Sequence, residues 1–160
     1  VSCEAVLAGE VPIMPGKVLI IGGGMAGCET ADFMFQQGEY PLVGHTSVTI
    51  IEMLDDVATD MSPEGRAVLM DRIRRKGIEI MVRTEVKEFL EDGVVVERDE
   101  QEETIRGAER IVLCMGIESS NELPAKIAKR VDEVHVIGDA KQARSLREAI
   151  REGRETAIAI

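Results

Sequence analysis

The sequence predicts an α/β fold: a parallel, doubly wound sheet, an antiparallel β-meander, and a short returning strand and helix. Three observations predict it. Short apolar runs alternate with stretches whose apolar residues fall at helical spacing. The first such run meets three consecutive glycines before its helix begins. After residue 83 the texture changes to short β-rich runs separated by polar turns, the spacing of a meander.

Residues 18–21, VLII, form a continuous apolar run bounded by Pro15 and Gly16 on one side and glycines on the other. That pattern suits a strand buried on both faces. Residues 25–37 place Ala26, Ala31, Met34 and Phe35 at helical spacing, and Gly38 is the expected stop. Residues 38–47 read as a loop, and VTIIEM, residues 48–53, as a second strand. The next helix carries Ser62 as N-cap, Pro63 at its first position, a basic last turn from Arg72 to Lys76, and Gly77 just beyond. IEIMV, residues 78–82, is a third strand. The meander ends in an apolar strand at residues 111–114, closed by Gly116. EVHVIGDA, residues 133–140, reads as a further strand and turn, and residues 143–160 as a helix with Ala143, Leu146, Ile150 and Ala157 along one side. Strand, helix, strand, helix, strand requires right-handed crossovers into a parallel sheet.

Composition bounds what such a fold does. Hydrophobic residues make up 44% of the 160 and charged residues 31%, the profile of a globular domain able to bury a core without metals or disulfides. The aromatics are Phe33, Phe35, Tyr40 and Phe89, so the core is aliphatic. A net charge of −11 argues against nucleic acid and against an anionic membrane surface. No apolar run approaches the roughly 20 residues of a membrane helix, and no secretory leader is evident. Cys3, Cys28 and Cys114 lack any Cys-x-x-Cys spacing, which fits a reduced, cytoplasmic setting. Starting at Val1, the chain reads as a processed product or a piece of something longer.

The glycines carry the functional signal. GGGMAG fits G-x-G-x-x-G at Gly22, Gly24 and Gly27, with Gly23, Met25 and Ala26 between them. Gly22 permits the tight turn, Gly24 lets a pyrophosphate approach the backbone, and Gly27 lets helix and strand pack closely. The phosphates would rest on free N–H groups at the helix N-terminus. Glu52, followed by Met53, closes the second strand, where its carboxylate can accept from the adenosine ribose hydroxyls. It lies 30 residues after Gly22, against about 20 in the usual form, and the loop at 38–47 absorbs the excess. An acid there repels a 2′-phosphate, so NAD is expected over NADP, although Arg66 or Arg83 could fold back. Glu52→Arg would then weaken NADH and favour NADPH.

GKVLIIGGGMAGCETADF, VTIIEM and VHVIGDA together resemble the C-terminal nucleotide-binding region of the NADH:flavin oxidoreductases related to 2,4-dienoyl-CoA reductase, enoate reductase and trimethylamine dehydrogenase. The resemblance covers essentially the whole chain and implies a Rossmann-like FAD/NAD(P)-binding fold in which an NAD-binding domain is inserted into an FAD-binding domain. Residues 11–117 would be the NAD(H)-binding domain and 118–160 the returning segment of the split FAD domain. By the same resemblance Glu29 and Gly116 border the nicotinamide half, and Gly138 and Asp139 belong to the flavin side. FAD is then expected in the parent enzyme; FMN and an iron–sulfur cluster are implied by the family alone. The chain departs from the family in having one glycine motif, no upstream FMN barrel, no cysteine cluster, and no Cys-x-x-x-x-Cys redox pair.

The expected partners are NADH and the flavin-bearing remainder of the parent. NADH would pass hydride to a flavin, and no residue of this chain is assigned as acid, base, nucleophile or metal ligand. Cys28 and Cys114 are expected in the core, His45 and His135 in structural roles, Met61 and Met70 in packing, and ERDEQEE as a solvated turn or hairpin. Asp139 reads equally as a helix N-cap. Two other functions stay open: a dinucleotide-sensing module, and an S-adenosylmethionine-dependent methyltransferase, against which Ala26 and the meander speak.

Overall fold

The computed structural model describes residues 1–37 and 46–160; the expected helix stop at Gly38, the loop that follows it, Tyr40 and His45 lie outside the described residues. Two compact units emerge, Val1–Gly116 and Ile117–Ile160.

The first unit is built on a parallel sheet of β1 (Gly16–Ile21), β2 (Thr46–Ile51), β3 (Glu79–Met81) and β7 (Arg110–Leu113), in the order β3-β2-β1-β7. Between β3 and β7 the chain makes an antiparallel sheet of β4 (Thr84–Leu90), β5 (Gly93–Arg98) and β6 (Gln101–Arg106). The run VLII is apolar throughout because both faces of β1 are covered. Val18 and Ile20 face one core with Cys28, Ala31 and Met34 of α2 (Met25–Gln37) and Leu69 and Ile73 of α3 (Pro63–Lys76). Leu19 and Ile21 face a second core with Val94, Val96 and Ile105 of the meander. Period-2 alternation along one strand thus serves two layers.

The helix α3 forms where its caps dictate. The Ser62 hydroxyl accepts from the Gly65 N–H, Pro63 opens the helix, and Gly77 ends it in the left-handed conformation at φ 67°. An ion cluster ties α3 to α2. The buried Asp32 carboxylate meets Arg72 at 2.5 Å and Lys76 at 2.9 Å, and Lys76 also lies 5.7 Å from the Phe35 ring centroid. The acidic hairpin forms as expected, with Asp99 and Glu100 supplying its turn at φ 50° and 63°. Ahead of β1, α1 (Cys3–Leu7) buries Cys3 and Val6 in the helix-side core, an element the sequence reading did not include.

The second unit holds α4 (Glu122–Ile127), a 3-10 turn at Gly138–Ala140 and α5 (Leu146–Ala159). The strand expected at 133–137 does not form. Ile137 is extended at φ −133° and ψ 166°, but no described strand pairs with the segment, and a ladder needs a neighbour. His135 therefore sits outside any strand, its Nε2 2.8 Å from Glu133. In this unit Gly138 and Glu152 alone are buried, and the apolar side of α5 is open, with Leu146 77% and Ile150 65% exposed. Among the described residues no helix is long and apolar enough to cross a membrane.

Candidate functional site

Every strand of the parallel sheet delivers its carboxyl end to one edge. The register pairs Ile21 with Ile51 and with Leu113, so the glycine turn after β1 lies between the residues that follow β2 and β7. The Gly22 N–H donates to the Ile51 carbonyl, and the Cys114 N–H donates to the Ile21 carbonyl. Successive connections leave β1 towards β2 and return as β7 on its other side. A doubly wound sheet opens its binding crevice at such a reversal.

The four glycines of the turn are not equivalent. Gly22 has φ 103°, and a Cβ there would lie 2.3 Å from the Cys114 carbonyl oxygen. A Cβ on Gly27 would lie 1.9 Å from the Gly22 carbonyl oxygen, so the first turn of α2 rests directly on the strand end. Gly23 is hemmed in by Val57 and Glu52, at 2.6 and 3.0 Å from an added Cβ. Gly24 differs. Its φ is not positive, and an added Cβ would meet the Asp60 carboxylate alone, at an ordinary 3.5 Å. Packing inside the protein explains Gly22, Gly23 and Gly27 but leaves Gly24 without a reason. A backbone left open on one side is what close approach by a diphosphate requires.

Glu52 follows β2 directly, and the structure turns its carboxylate inward. The residue is 8% exposed; Oε2 accepts from the Gly23 N–H at 2.6 Å and Oε1 from the Leu54 N–H at 2.8 Å. Glu52 thereby fastens the glycine turn to the end of β2. An arginine could not replace it there, because the buried Gly23 N–H and the part-buried Leu54 N–H would face a cation. Its neighbours Met53 and Leu54 are well exposed, as are Met25 and Met115 at the ends of the flanking elements. They give this edge of the sheet an apolar lining.

The loop from β2 to α3 supports the turn from above. The Ala58 N–H donates to the Gly23 carbonyl at 2.7 Å, with Val57 and Ala58 buried and Ala58 at φ 51°. Asp60, on the same loop, accepts from the Met25 N–H at 2.8 Å and so caps α2. Sequence reasoning missed Asp60. It lies 35 residues from Met25, and no local pattern joins a loop aspartate to a helix it does not precede. Arg66 is committed to Asp56 at 2.5 Å and to the Val57 carbonyl at 2.9 Å, whereas Arg83 is exposed and fixed at φ 50° by its N–H bond to Leu54.

Ala26 and Glu29 are exposed on the first turns of α2, and Gly116 is exposed beyond β7 at φ 96°. Cys28 is fully buried, its thiol donating to the Gly23 carbonyl at 3.3 Å. Burial first, then the Asp60 and Glu52 charges, push it up to about 12. Burial first, then Cys3, does the same for Cys114. Neither is a reactive thiol at neutral pH. Among the described residues no cluster of His, Cys, Asp or Glu could hold a metal ion.

In the second unit Gly138 adopts φ 61°, and its N–H donates to Glu152 Oε2 at 2.8 Å. Asp139 is exposed and accepts from the Arg144 N–H at 3.2 Å. It is not the cap of α5, because Ser145 occupies that position. Glu152 is bonded by the Arg144 guanidinium, and Lys141 stands 3.5 Å away. Arg144 first, then the Gly138 N–H, hold its carboxyl down at about 2. That is below the ordinary glutamate value, so this contribution to stability is complete above about pH 4.5 and is lost as pH falls towards 2. The Gly138 amide resonance should therefore titrate with a midpoint near 2. Glu152→Gln should abolish the transition, and a midpoint near 4.5 in the unaltered chain would show that the carboxylate is unpaired.

Comparison with known proteins follows the same outline. The chain is 34% identical over 154 residues to an NADH oxidase of Thermoanaerobacter brockii, covering 95% of this chain and 23% of that protein. It is 31% identical over 144 residues to a cinnamate reductase of Clostridium sporogenes, covering 88% of this chain and 20% of that one. A solved 2-naphthoyl-CoA reductase in complex with 2-naphthoyl-CoA superposes with a TM-score of 0.82 at 24% identity, over all of this chain and 23% of the other, which shows the shared fold. The chain thus spans under a quarter of each of these relatives. The family model for pyridine nucleotide-disulphide oxidoreductases matches residues 1–153, and the chain belongs to that family.

Proposed function

We propose that this chain is the NAD(H)-binding module of a flavin-dependent oxidoreductase, of the kind related to 2,4-dienoyl-CoA reductase, enoate reductase and trimethylamine dehydrogenase. The observation that carries the reading is Gly24, the one glycine of the turn that protein packing does not require. NADH bound there would supply a hydride to a flavin held by the rest of the parent enzyme. The work of the chain is to bind and orient. Gly22, Gly23, Gly24, Met25, Ala26 and Gly27 seat the diphosphate. Glu52 and Met53 border the adenosine ribose, and Glu29 and Gly116 the nicotinamide half.

Residues 118–160 would be the returning segment of the flavin domain, with Gly138 and Asp139 towards the flavin. Two features support this. The segment 133–137 has the residue pattern of a strand but no described partner strand, and α5 keeps Leu146, Ile150 and Ile158 exposed. Such a unit buries too little apolar surface to close a core of its own. The names of the relatives, an oxidase and reductases, agree with redox chemistry in the parent.

The test is Gly24→Ala. Its Cβ has room in the protein, so the unfolding midpoint should hardly move, while calorimetric binding of NADH should fall by at least tenfold. NADH affinity equal to that of the unaltered chain would remove the basis of the assignment.

A further inference from the structure

We propose that Asp60 is a built-in anion that holds the diphosphate seat of the unliganded chain and must swing away for a dinucleotide to bind. The inference rests on the reading of the glycine turn given above. Asp60 Oδ1 takes the Met25 N–H at 2.8 Å, and its two carboxylate oxygens lie 3.5 and 3.8 Å from the point where Gly24 would carry a Cβ. The open side of Gly24 is therefore bordered, at ordinary contact distance, by a carboxylate of the protein itself.

The arrangement is built to release that side chain without disturbing the rest. The backbone around Asp60 is held by the Ala58–Gly23 bond at 2.7 Å, by Arg66 Nε on the Val57 carbonyl at 2.9 Å, and by the Ser62 cap of α3. The side chain of Asp60 itself is exposed, and its bond to Met25 is the only hydrogen bond found for it among the described residues. Arg66, the nearest cation along the loop, is already paired with Asp56 at 2.5 Å.

A carboxylate at a helix N-terminus is favourable because the unpaired N–H groups carry partial positive charge. A diphosphate seeks the same groups and brings two negative charges. The two anions cannot share the seat, so Asp60 acts as a competitor present at unit stoichiometry. It raises the threshold for any ligand that offers charge alone. Inorganic anions gain only the helix terminus and are turned away, whereas a dinucleotide adds ribose and base contacts and can displace the carboxylate.

The experiment is a calorimetric titration of the full chain, Asp60→Asn and Glu102→Gln with ADP-ribose. Asparagine keeps an oxygen for the Met25 N–H, so α2 stays capped while the charge is gone. Glu102 is an exposed residue of β6 and provides the same change in net charge away from the turn. Asp60→Asn should bind ADP-ribose roughly three- to tenfold more tightly, and Glu102→Gln should match the unaltered chain. Equal or weaker binding by Asp60→Asn would make Asp60 a cap only and overturn the inference. Tightening of equal size in both variants would assign the effect to net charge and overturn it as well. ADP-ribose binding by none of the three would instead refute the reading of the glycine turn, and the inference with it.

Discussion

Gly27→Ala should lose about 3 kcal/mol of stability and all measurable NADH binding together. The added methyl would stand 1.9 Å from the Gly22 carbonyl oxygen, which is backbone and cannot rotate aside. Relief requires the first turn of α2 to lift from the end of β1. That movement strains the packing of Cys28 and Ala31 against Val18 and Ile20, and it carries the N-terminal N–H groups away from any phosphate. Urea unfolding reports the first effect and calorimetry the second. The contrast with Gly24→Ala is the informative part: one methyl group, three residues apart, should damage fold and binding in one case and binding alone in the other. A Gly27→Ala chain that binds NADH normally would show that α2 does not present the site.

Glu52→Ala should cost roughly 2–4 kcal/mol, because it strands the Gly23 and Leu54 N–H groups that the carboxylate satisfies at 2.6 and 2.8 Å. NADH and NADPH affinities should fall together, since the glycine turn loses its tie to β2. Read from sequence, Glu52→Arg is a switch of cofactor preference. Read from the structure, the same change places a cation at an 8% exposed position facing two donors. It should weaken both cofactors without inverting their order. A variant that keeps its stability and prefers NADPH would show that Glu52 reads the ribose first and holds the loop second.

The layers were legible because their causes are local. Residues 18–21 are apolar at every position since β1 has a core on each face, and α3 carries its own start and stop in Ser62, Pro63 and Gly77. The glycine spacing located the turn. It did not separate Gly24 from its neighbours, because that distinction lies in contacts with Cys114, Val57 and Glu52. Glu52 was found by position, but its inward orientation depends on a backbone N–H at Gly23 that spacing does not reveal. Asp60 was invisible for the same reason, its partner being 35 residues away. The strand expected at 133–137 follows the right local pattern and fails for want of a neighbour, since pairing is a property of two segments and a sequence run describes only one. α1 was missed because a helix of five residues has too few positions for a period to show.

NADH is proposed to sit on the turn at residues 22–27. The most direct measurement is an NADH titration of the isotope-labelled chain followed through its backbone amide resonances. The amides of Gly24, Met25, Ala26 and Gly27 should shift first and saturate with one NADH per chain, while those of the β5–β6 hairpin stay still. Saturable shifts confined to other residues, or stoichiometric binding of FAD at this turn in place of NADH, would contradict it.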